Sequence, residues 1–444
     1  MTFDELNLNT PLLNALNDMG FHQPTTIQAK AFSVVMSGKD VVGIAQTGTG
    51  KTIAYLLPYL RQWKYSKDRI PQILILVPTR ELVAQVVDEI KKLGKYTSVS
   101  AVGIYGGSNI NTQIATVSEG ADILVATPGR LIDLVMKGTV KLKPIKKLVI
   151  DEVDEMLSLG FRSQLTVILD LLPLKRQNIL FSATMTDDVE ALINQYFNQP
   201  VKVEAAPAGS PLVNIIQTAF EVPNFNTKVN LLRLLLYNDT EMKKVLVFAS
   251  TKILADKLFN EIASLFHEQV GIIHSNKSQN HRFNAVKQFH EGTTRVLIAT
   301  DIVARGIDVS EVSHVINFDI PEVPENYVHR IGRTGRADKK GIAISFFTPK
   351  EIEAKEQIEA LMNFQIAMEA LPENLAISEV LTLDEIPKVY QPNMELKNPI
   401  KKPTGAAFHE KKDSNKKVPS KIRHTDKMKM KYGKPKTRGQ KKKK

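Results

Sequence analysis

Short, nearly unbroken apolar runs alternate with amphipathic stretches along the first half of the chain. The runs fall at residues 41–45, 73–77, 99–104, 123–126, 148–150 and 179–181. Their length and β-branched content predict strands buried on both faces. Between them the apolar spacing turns helical, as at 81–93, where Leu82, Val83, Val86, Val87 and Ile90 share one side. Strands alternating with helices predict βαβ units around a parallel sheet. The pattern breaks at Glu204-Ala205-Ala206-Pro207-Ala208-Gly209-Ser210-Pro211, a small and proline-containing stretch that suits a linker. It restarts at 245–248, 270–273, 296–299, 315–318 and 342–347. The expected organisation is therefore two α/β domains, residues 1–206 and 216–370, joined by 207–215. An extension, 371–444, follows and is expected to be disordered from about residue 391, where proline and lysine dominate.

Charge sharpens this division. Of the net +12, residues 391–444 carry 19 Lys/Arg against 4 Asp/Glu, a net of +15, which leaves −3 for the rest. A near-neutral body with a basic tail predicts a polyanionic partner. The absence of cysteine excludes disulfides, thiolate zinc sites and iron–sulfur clusters. No apolar run reaches the ~20 residues of a membrane span. The acidic start Met1-Thr2-Phe3-Asp4-Glu5 lacks the basic flank of a secretory signal. A cytoplasmic protein that makes no membrane contact is the expectation.

Two segments carry recognisable chemistry. Ala45-Gln46-Thr47-Gly48-Thr49-Gly50-Lys51-Thr52 follows a predicted strand and opens a predicted helix, the setting of a phosphate-binding loop. Glycines let backbone N–H groups converge on phosphate oxygens at a helix start. Lys51 would reach the β- and γ-phosphates, and the Thr52 hydroxyl would hold Mg²⁺. The second segment, Asp151-Glu152-Val153-Asp154, ends the strand at 148–150. An acidic pair in that position is by itself most often a solvated turn. Beside a phosphate loop it reads differently: Asp151 for Mg²⁺, Glu152 to orient and activate the attacking water.

With these residues the chain resembles the DEAD-box RNA helicases of superfamily two, over residues 3 to about 347. Gly20-Phe21-His22-Gln23-Pro24-Thr25-Thr26-Ile27-Gln28 is similar to the adenine-reading Q motif. By that resemblance Gln28 binds the adenine edge, Phe21 stacks nearby and Phe3 is the upstream aromatic. Pro78-Thr79-Arg80-Glu81-Leu82, Gly106-Gly107 and Thr127-Pro128-Gly129-Arg130 resemble RNA-contacting motifs. Ser182-Ala183-Thr184 resembles the element that couples hydrolysis to RNA through Asp154. In the second domain Val247-Phe248-Ala249-Ser250-Thr251 resembles motif IV. Gln279 with Arg282, and Thr300, resemble RNA contacts, and Asp308 resembles a ribose contact. His329-Arg330-Ile331-Gly332-Arg333-Thr334-Gly335-Arg336 is similar to motif VI, with His329 a coupling residue. Arg333 and Arg336, three apart, are expected on one helical face as fingers for the γ-phosphate. Val153 departs from the family's alanine and puts the geometry between the acidic box and Ser182–Thr184 in question.

The resemblance implies two tandem RecA-like domains and an RNA-stimulated ATPase that uses ATP and Mg²⁺. It implies single-stranded RNA bound on domain closure, duplexes locally separated, and release on hydrolysis. An ATP-gated clamp or annealing factor, and a DNA translocase of the same superfamily, are the competing readings. RNA is the implied partner, with ribosomal or decay-machinery proteins as further ones, and the chain is expected to act as a monomer. The short core with a lysine-rich tail resembles the bacterial RhlE-type subgroup.

Overall fold

The computed structural model describes residues 2–45, 48–204, 215–301, 312–335, 340–382 and 385–386. Gln46, Thr47, most of the expected linker, Asp308, Arg336 and the lysine-rich tail lie outside the described residues.

The first sheet contains β1 (Val41–Ile44), β2 (Ile73–Leu76), β3 (Ala101–Ile104), β4 (Ile123–Ala126), β5 (Lys147–Ile150), β6 (Gln177–Ser182) and β7 (Val201–Glu204). Its strand order is β3-β4-β2-β5-β6-β1-β7, and every pairing is parallel. The second contains β8 (Ile215–Glu221), β9 (Val245–Phe248), β10 (Val270–Ile273), β11 (Val296–Ala299), β12 (His314–Asn317), β13 (Gly341–Phe347) and β14 (Ala367–Glu369). Its order, β10-β11-β9-β12-β13-β8-β14, repeats the first strand for strand, again all parallel.

Covering both faces with helices explains the unbroken apolar runs. Ile73 and Ile75 point into one hydrophobic cluster and Leu74 and Leu76 into the other, all at most 5% exposed. Val245 and Val247 are divided from Leu246 and Phe248 in the same way. Each such side chain contributes about 1.5–3 kcal/mol by leaving water. Three strands were not expected from apolar runs. β7 and β8 alternate polar with apolar residues, and Ile216 of β8 is 53% exposed. β14 is a short edge strand with no buried residue. Such strands leave only a weak apolar signature.

The helices that matter for the site mostly begin just after strands, the first two, which precede β1, excepted. They are α1 (Thr10–Asp18), α2 (Thr26–Met36), α3 (Lys51–Gln62), α4 (Arg80–Leu93), α5 (Ile110–Ser118), α6 (Pro128–Met136), α7 (Val153–Ser158), α8 (Arg162–Leu171) and α9 (Asp187–Tyr196). In the second half they are α10 (Phe225–Asn238), α11 (Lys252–Phe266), α12 (Gln279–His290), α13 (Pro324–Ile331) and α14 (Ile352–Met362).

Part of the expected extension is clipped to the second domain without regular secondary structure. Asn230, Asn226 and Asn224 donate their amides to the carbonyls of Ala376 (2.7 Å), Val380 (2.7 Å) and Ser378 (2.5 Å). Ser378 N donates to Thr227 Oγ1 at 3.0 Å, and Leu371 and Leu375 pack on the core.

Candidate functional site

Parallel strands bring all their C-terminal ends to one edge, where ligands of α/β sheets bind. In the first sheet that edge divides in two. The phosphate loop, the acidic box and Ser182–Thr184 follow β1, β5 and β6, which are neighbours. The segments at Pro78–Arg80, Gly106–Gly107 and Thr127–Arg130 follow β2, β3 and β4, the other three neighbours. Nucleotide candidates thus occupy one half of the edge and RNA candidates the other.

On the nucleotide half, α3 starts at Gly50, whose φ of +85° is left-handed and favours glycine. A Cβ there would collide with the Gln28 amide. Gln28 is 5% exposed and anchored at both ends: its Nε2 donates to Gly50 O at 3.2 Å and its Oε1 accepts from Thr25 N at 2.9 Å, which leaves one N–H and one lone pair. Thr25 Oγ1 donates to Thr49 O at 2.8 Å. The Q-motif helix α2 therefore grips the phosphate loop itself. Phe21 is 40% exposed and presents a ring, whereas Phe3 is 4% exposed and belongs to the core. Ala45 N donates to Ser182 O at 3.0 Å, continuing the β1–β6 pairing into the loop.

Lys51, only 6% exposed, has no hydrogen-bond acceptor at Nζ. Burial pushes the Asp151 and Glu152 carboxyls above the ordinary carboxylate range, and the nearby Lys51 charge pulls them back. Arg333, reaching in from the second domain, opposes the shift at Glu152 more weakly. Glu152 adopts a left-handed backbone with φ 52°, a strained state for a non-glycine residue at a helix start. Thr52 is half-buried at the first turn of α3, and the buried Tyr55 phenol lies beside both Thr52 and Asp151. Among the described residues no set of three or more His, Cys, Asp or Glu side chains could hold a metal by itself. One carboxylate and one hydroxyl suit Mg²⁺, which takes few protein ligands and completes its shell with phosphate oxygens and water.

Asp154 is tied down. Its Oδ2 accepts from Ala183 N (3.1 Å), Thr184 N (2.9 Å) and Thr184 Oγ1 (3.0 Å). Ser182 turns its hydroxyl to Thr184 O at 2.6 Å instead. The geometry left in question by Val153 is formed, because Val153 is wholly buried in the hydrophobic cluster with Leu148, Ile150 and Met156. From the second domain, His329 Nδ1 meets Glu155 Oε1 at 2.6 Å and His329 Nε2 lies 3.9 Å from Asp154 Oδ2.

The RNA half behaves differently. Arg80 Nη1 donates to Gln279 Oε1 at 3.2 Å, and Gln279 Nε2 donates to Glu81 Oε1 at 2.8 Å. Arg282 Nη2 pairs with Glu81 Oε1 at 2.5 Å, and both residues are under 10% exposed. The expected RNA contacts Arg80, Gln279 and Arg282 thus bind each other across the domains. Gly107, with φ +78°, leaves the room that the Arg80 guanidinium fills. Thr79 caps α4. Arg130 points inward, donating to Gln113 Oε1 (2.9 Å) and Ser108 O (3.1 Å), so it holds the loop after β3 rather than facing solvent. Pro128, Thr127 and Thr300 are buried, while Gly106 is half-buried and Gly129 has open space at its Cα.

Two family models match the chain: DEAD/DEAH box helicase at residues 25–192 and helicase conserved C-terminal domain at 227–338. The DEAD-box ATP-dependent RNA helicase CshA of Geobacillus kaustophilus is 41% identical over 358 residues, 81% of this chain and 76% of that protein. The chain belongs to the DEAD-box RNA helicases. It is an ATP-hydrolysing, ATP-dependent RNA helicase built from two RecA-like domains. Among solved structures, Saccharomyces cerevisiae Dbp5 bound to RNA and ADP BeF3 matches with TM-score 0.75 and 32% identity, over 84% of this chain and 95% of that one. Mss116 bound to ssRNA and UDP-BeF matches with TM-score 0.77 and 28% identity, over 84% and 80%. The CshA name does not single out the RhlE-type subgroup.

One expectation for this DEAD-box helicase is corrected. Helix α13 ends at Ile331 with Gly332 as its C-cap, so Arg333 follows the helix instead of lying on its face. Arg336 itself lies outside the described residues. Three residues absent from the expected site prove central. Glu155 receives His329, and Glu81 receives Gln279 and Arg282. Asp301 holds the buried Arg330 through Oδ1 at 2.6 Å and Oδ2 at 2.7 Å. The signal for Glu155 and Glu81 was present, since each directly adjoins a motif residue.

Proposed function

We propose that ATP sits on the Ala45–Thr52 loop, with the adenine against Phe21 and Gln28, and that Arg333 and Arg336 supply positive charge to its γ-phosphate. Lys51 binds the β- and γ-phosphates. Glu152, held in its left-handed turn, orients and deprotonates the attacking water. Thr52 and Asp151 would hold Mg²⁺, which when bound offsets phosphate charge during transfer. Asp308 meets the ribose. Asp154, Thr184 and His329, with Ser182 bracing the turn, carry the state of the nucleotide to the domain interface.

The observation that carries this reading is the contact of second-domain His329 with Glu155 and Asp154. The nucleotide site is completed only when the domains meet. In the same closure Arg80, Gln279 and Arg282 line up with Gly106–Gly107, Thr127–Arg130 and Thr300 as a path for the RNA backbone. Bound strand bent along that path cannot keep duplex geometry, and hydrolysis reopens the domains. Work on RNA in the cytoplasm by a monomer, with ribosomal or decay-machinery proteins as partners, belongs to the same proposal. Among the described residues no helix is long and apolar enough to cross a membrane.

Strand displacement and ATPase assays run side by side test this. ATP-dependent separation of a short RNA duplex, with hydrolysis stimulated by RNA and not by DNA of the same sequence, is expected. RNA-stimulated hydrolysis without strand separation would favour the clamp reading instead.

A further inference from the structure

The edge of the first sheet opposite the nucleotide holds a second site. There β2 and β5 begin, and the far end of α3 borders a cavity of about 420 Å³. Tyr59, Trp63 and Tyr65 supply rings to its wall, and Lys146 and Lys147 supply charge. Asp122, its acidic lining residue among the described residues, already accepts from Ser100 N at 2.9 Å and Ser100 Oγ at 3.0 Å.

Lys147 is the centre of this arrangement. Its Nζ lies 4.4 Å from the centroid of the Tyr59 ring and donates to Gln62 Oε1 at 2.5 Å. Ring and amide satisfy part of the half-buried ammonium, and an anion would complete its shell. Burial lowers its pKa to about 8. Two further donors beside the wall, Tyr59 Oη and Trp63 Nε1, are buried and make no hydrogen bond among the described residues.

We propose that this cavity binds a small flat-ringed anion, its ring against Trp63 and Tyr65 and its phosphate or carboxylate on Lys147. The volume lies within the ~300–1,000 Å³ of small-ligand pockets. The proposed site is separate from the nucleotide site, since Lys51 and Gln62 stand at opposite ends of α3, roughly 16 Å apart at ~1.5 Å per residue. Protonated Lys147 is the binding form. Affinity is therefore highest well below pH 8 and falls as pH rises through it and Lys147 gives up its proton. The other titratable and charged groups facing it are Tyr59 on α3, which burial pushes well above its usual range, and Lys64, Lys146 and Asp122.

Trp63 is the only tryptophan in the chain, so its emission reports on this cavity alone. Full-length protein is titrated with AMP, adenosine and inorganic phosphate, alongside Lys51→Ala to weaken the principal nucleotide site. A saturable emission change with AMP, retained in Lys51→Ala, is expected, with adenosine and phosphate each about tenfold weaker. Lys147→Met should weaken AMP about tenfold, and Lys147→Arg should restore it to within about threefold. ATPase activity near that of the parent shows that each Lys147 variant is folded; should Lys147→Met fail there, Lys147→Arg and the pH series decide. No emission change, a change abolished by Lys51→Ala, or affinity flat from pH 7 to 9 would overturn the proposal.

Discussion

The two halves of the domain interface are built on opposite electrostatic plans. At the nucleotide half, Asp151, Glu152, Asp154 and Glu155 crowd together and burial favours protonation of the first two. Lys51 and Arg333 offset part of that charge, and a metal ion with its phosphates suits the remainder. At the RNA half, Arg80, Gln279, Arg282 and Glu81 already satisfy one another. The nucleotide half is thus built to gain a ligand, while the RNA half must exchange internal bonds for phosphate contacts. A protein organised this way should bind nucleotide without RNA, yet hydrolyse fast only when both halves are engaged.

The largest effect is expected at Glu152. Glu152→Gln keeps the shape but removes the base, so kcat for RNA-stimulated hydrolysis should fall by roughly 100-fold or more. Nucleotide affinity measured by equilibrium binding should stay within a few-fold. Equal loss of both would erase the distinction between binding and chemistry on this half.

On the RNA half, Glu81→Ala leaves Arg282 buried without its partner, and isolated buried charge is costly. RNA affinity in the presence of an ATP analogue should drop about tenfold, ~1.4 kcal/mol, with basal ATPase unchanged. Improved RNA binding would instead mean that Glu81 only competes with phosphate. Deleting residues 391–444 should raise the RNA KM by a smaller factor and flatten its salt dependence, with saturated turnover nearly intact. An unchanged KM at low salt would remove the tail from the RNA account.

The smallest effect is expected from Val153→Ala. Its methyl groups face the hydrophobic cluster and not the carboxylates. RNA-stimulated ATPase should stay within about threefold, while the melting temperature drops by a few degrees, as removal of buried methyl groups predicts.

Much of this site could be read from the chain because its chemistry demands particular residues at strand ends. Lysine after a glycine turn, carboxylates after β5 and hydroxyls after β6 follow from phosphate and metal chemistry. Direction and partnership could not be read. Arg130 was assigned to RNA by type, yet its side chain is spent on Gln113 and Ser108. Gln279 and Glu81 lie 198 residues apart, so their bond follows from domain contact rather than from local pattern. The helical pairing expected for Arg333 failed because Gly332 stops α13 one residue earlier. The strands β7 and β14 escaped notice because edge strands need no continuous apolar run.

The central claim is that the catalytic site is divided between the domains, and Arg333 tests it most directly. Single-turnover ATP hydrolysis by Arg333→Ala, with saturating RNA, should slow by roughly 100-fold or more. Equilibrium ATP affinity should remain within about threefold, because binding rests on the first domain. Hydrolysis at the parent rate, or loss of affinity with the rate intact, would contradict a site completed from the second domain.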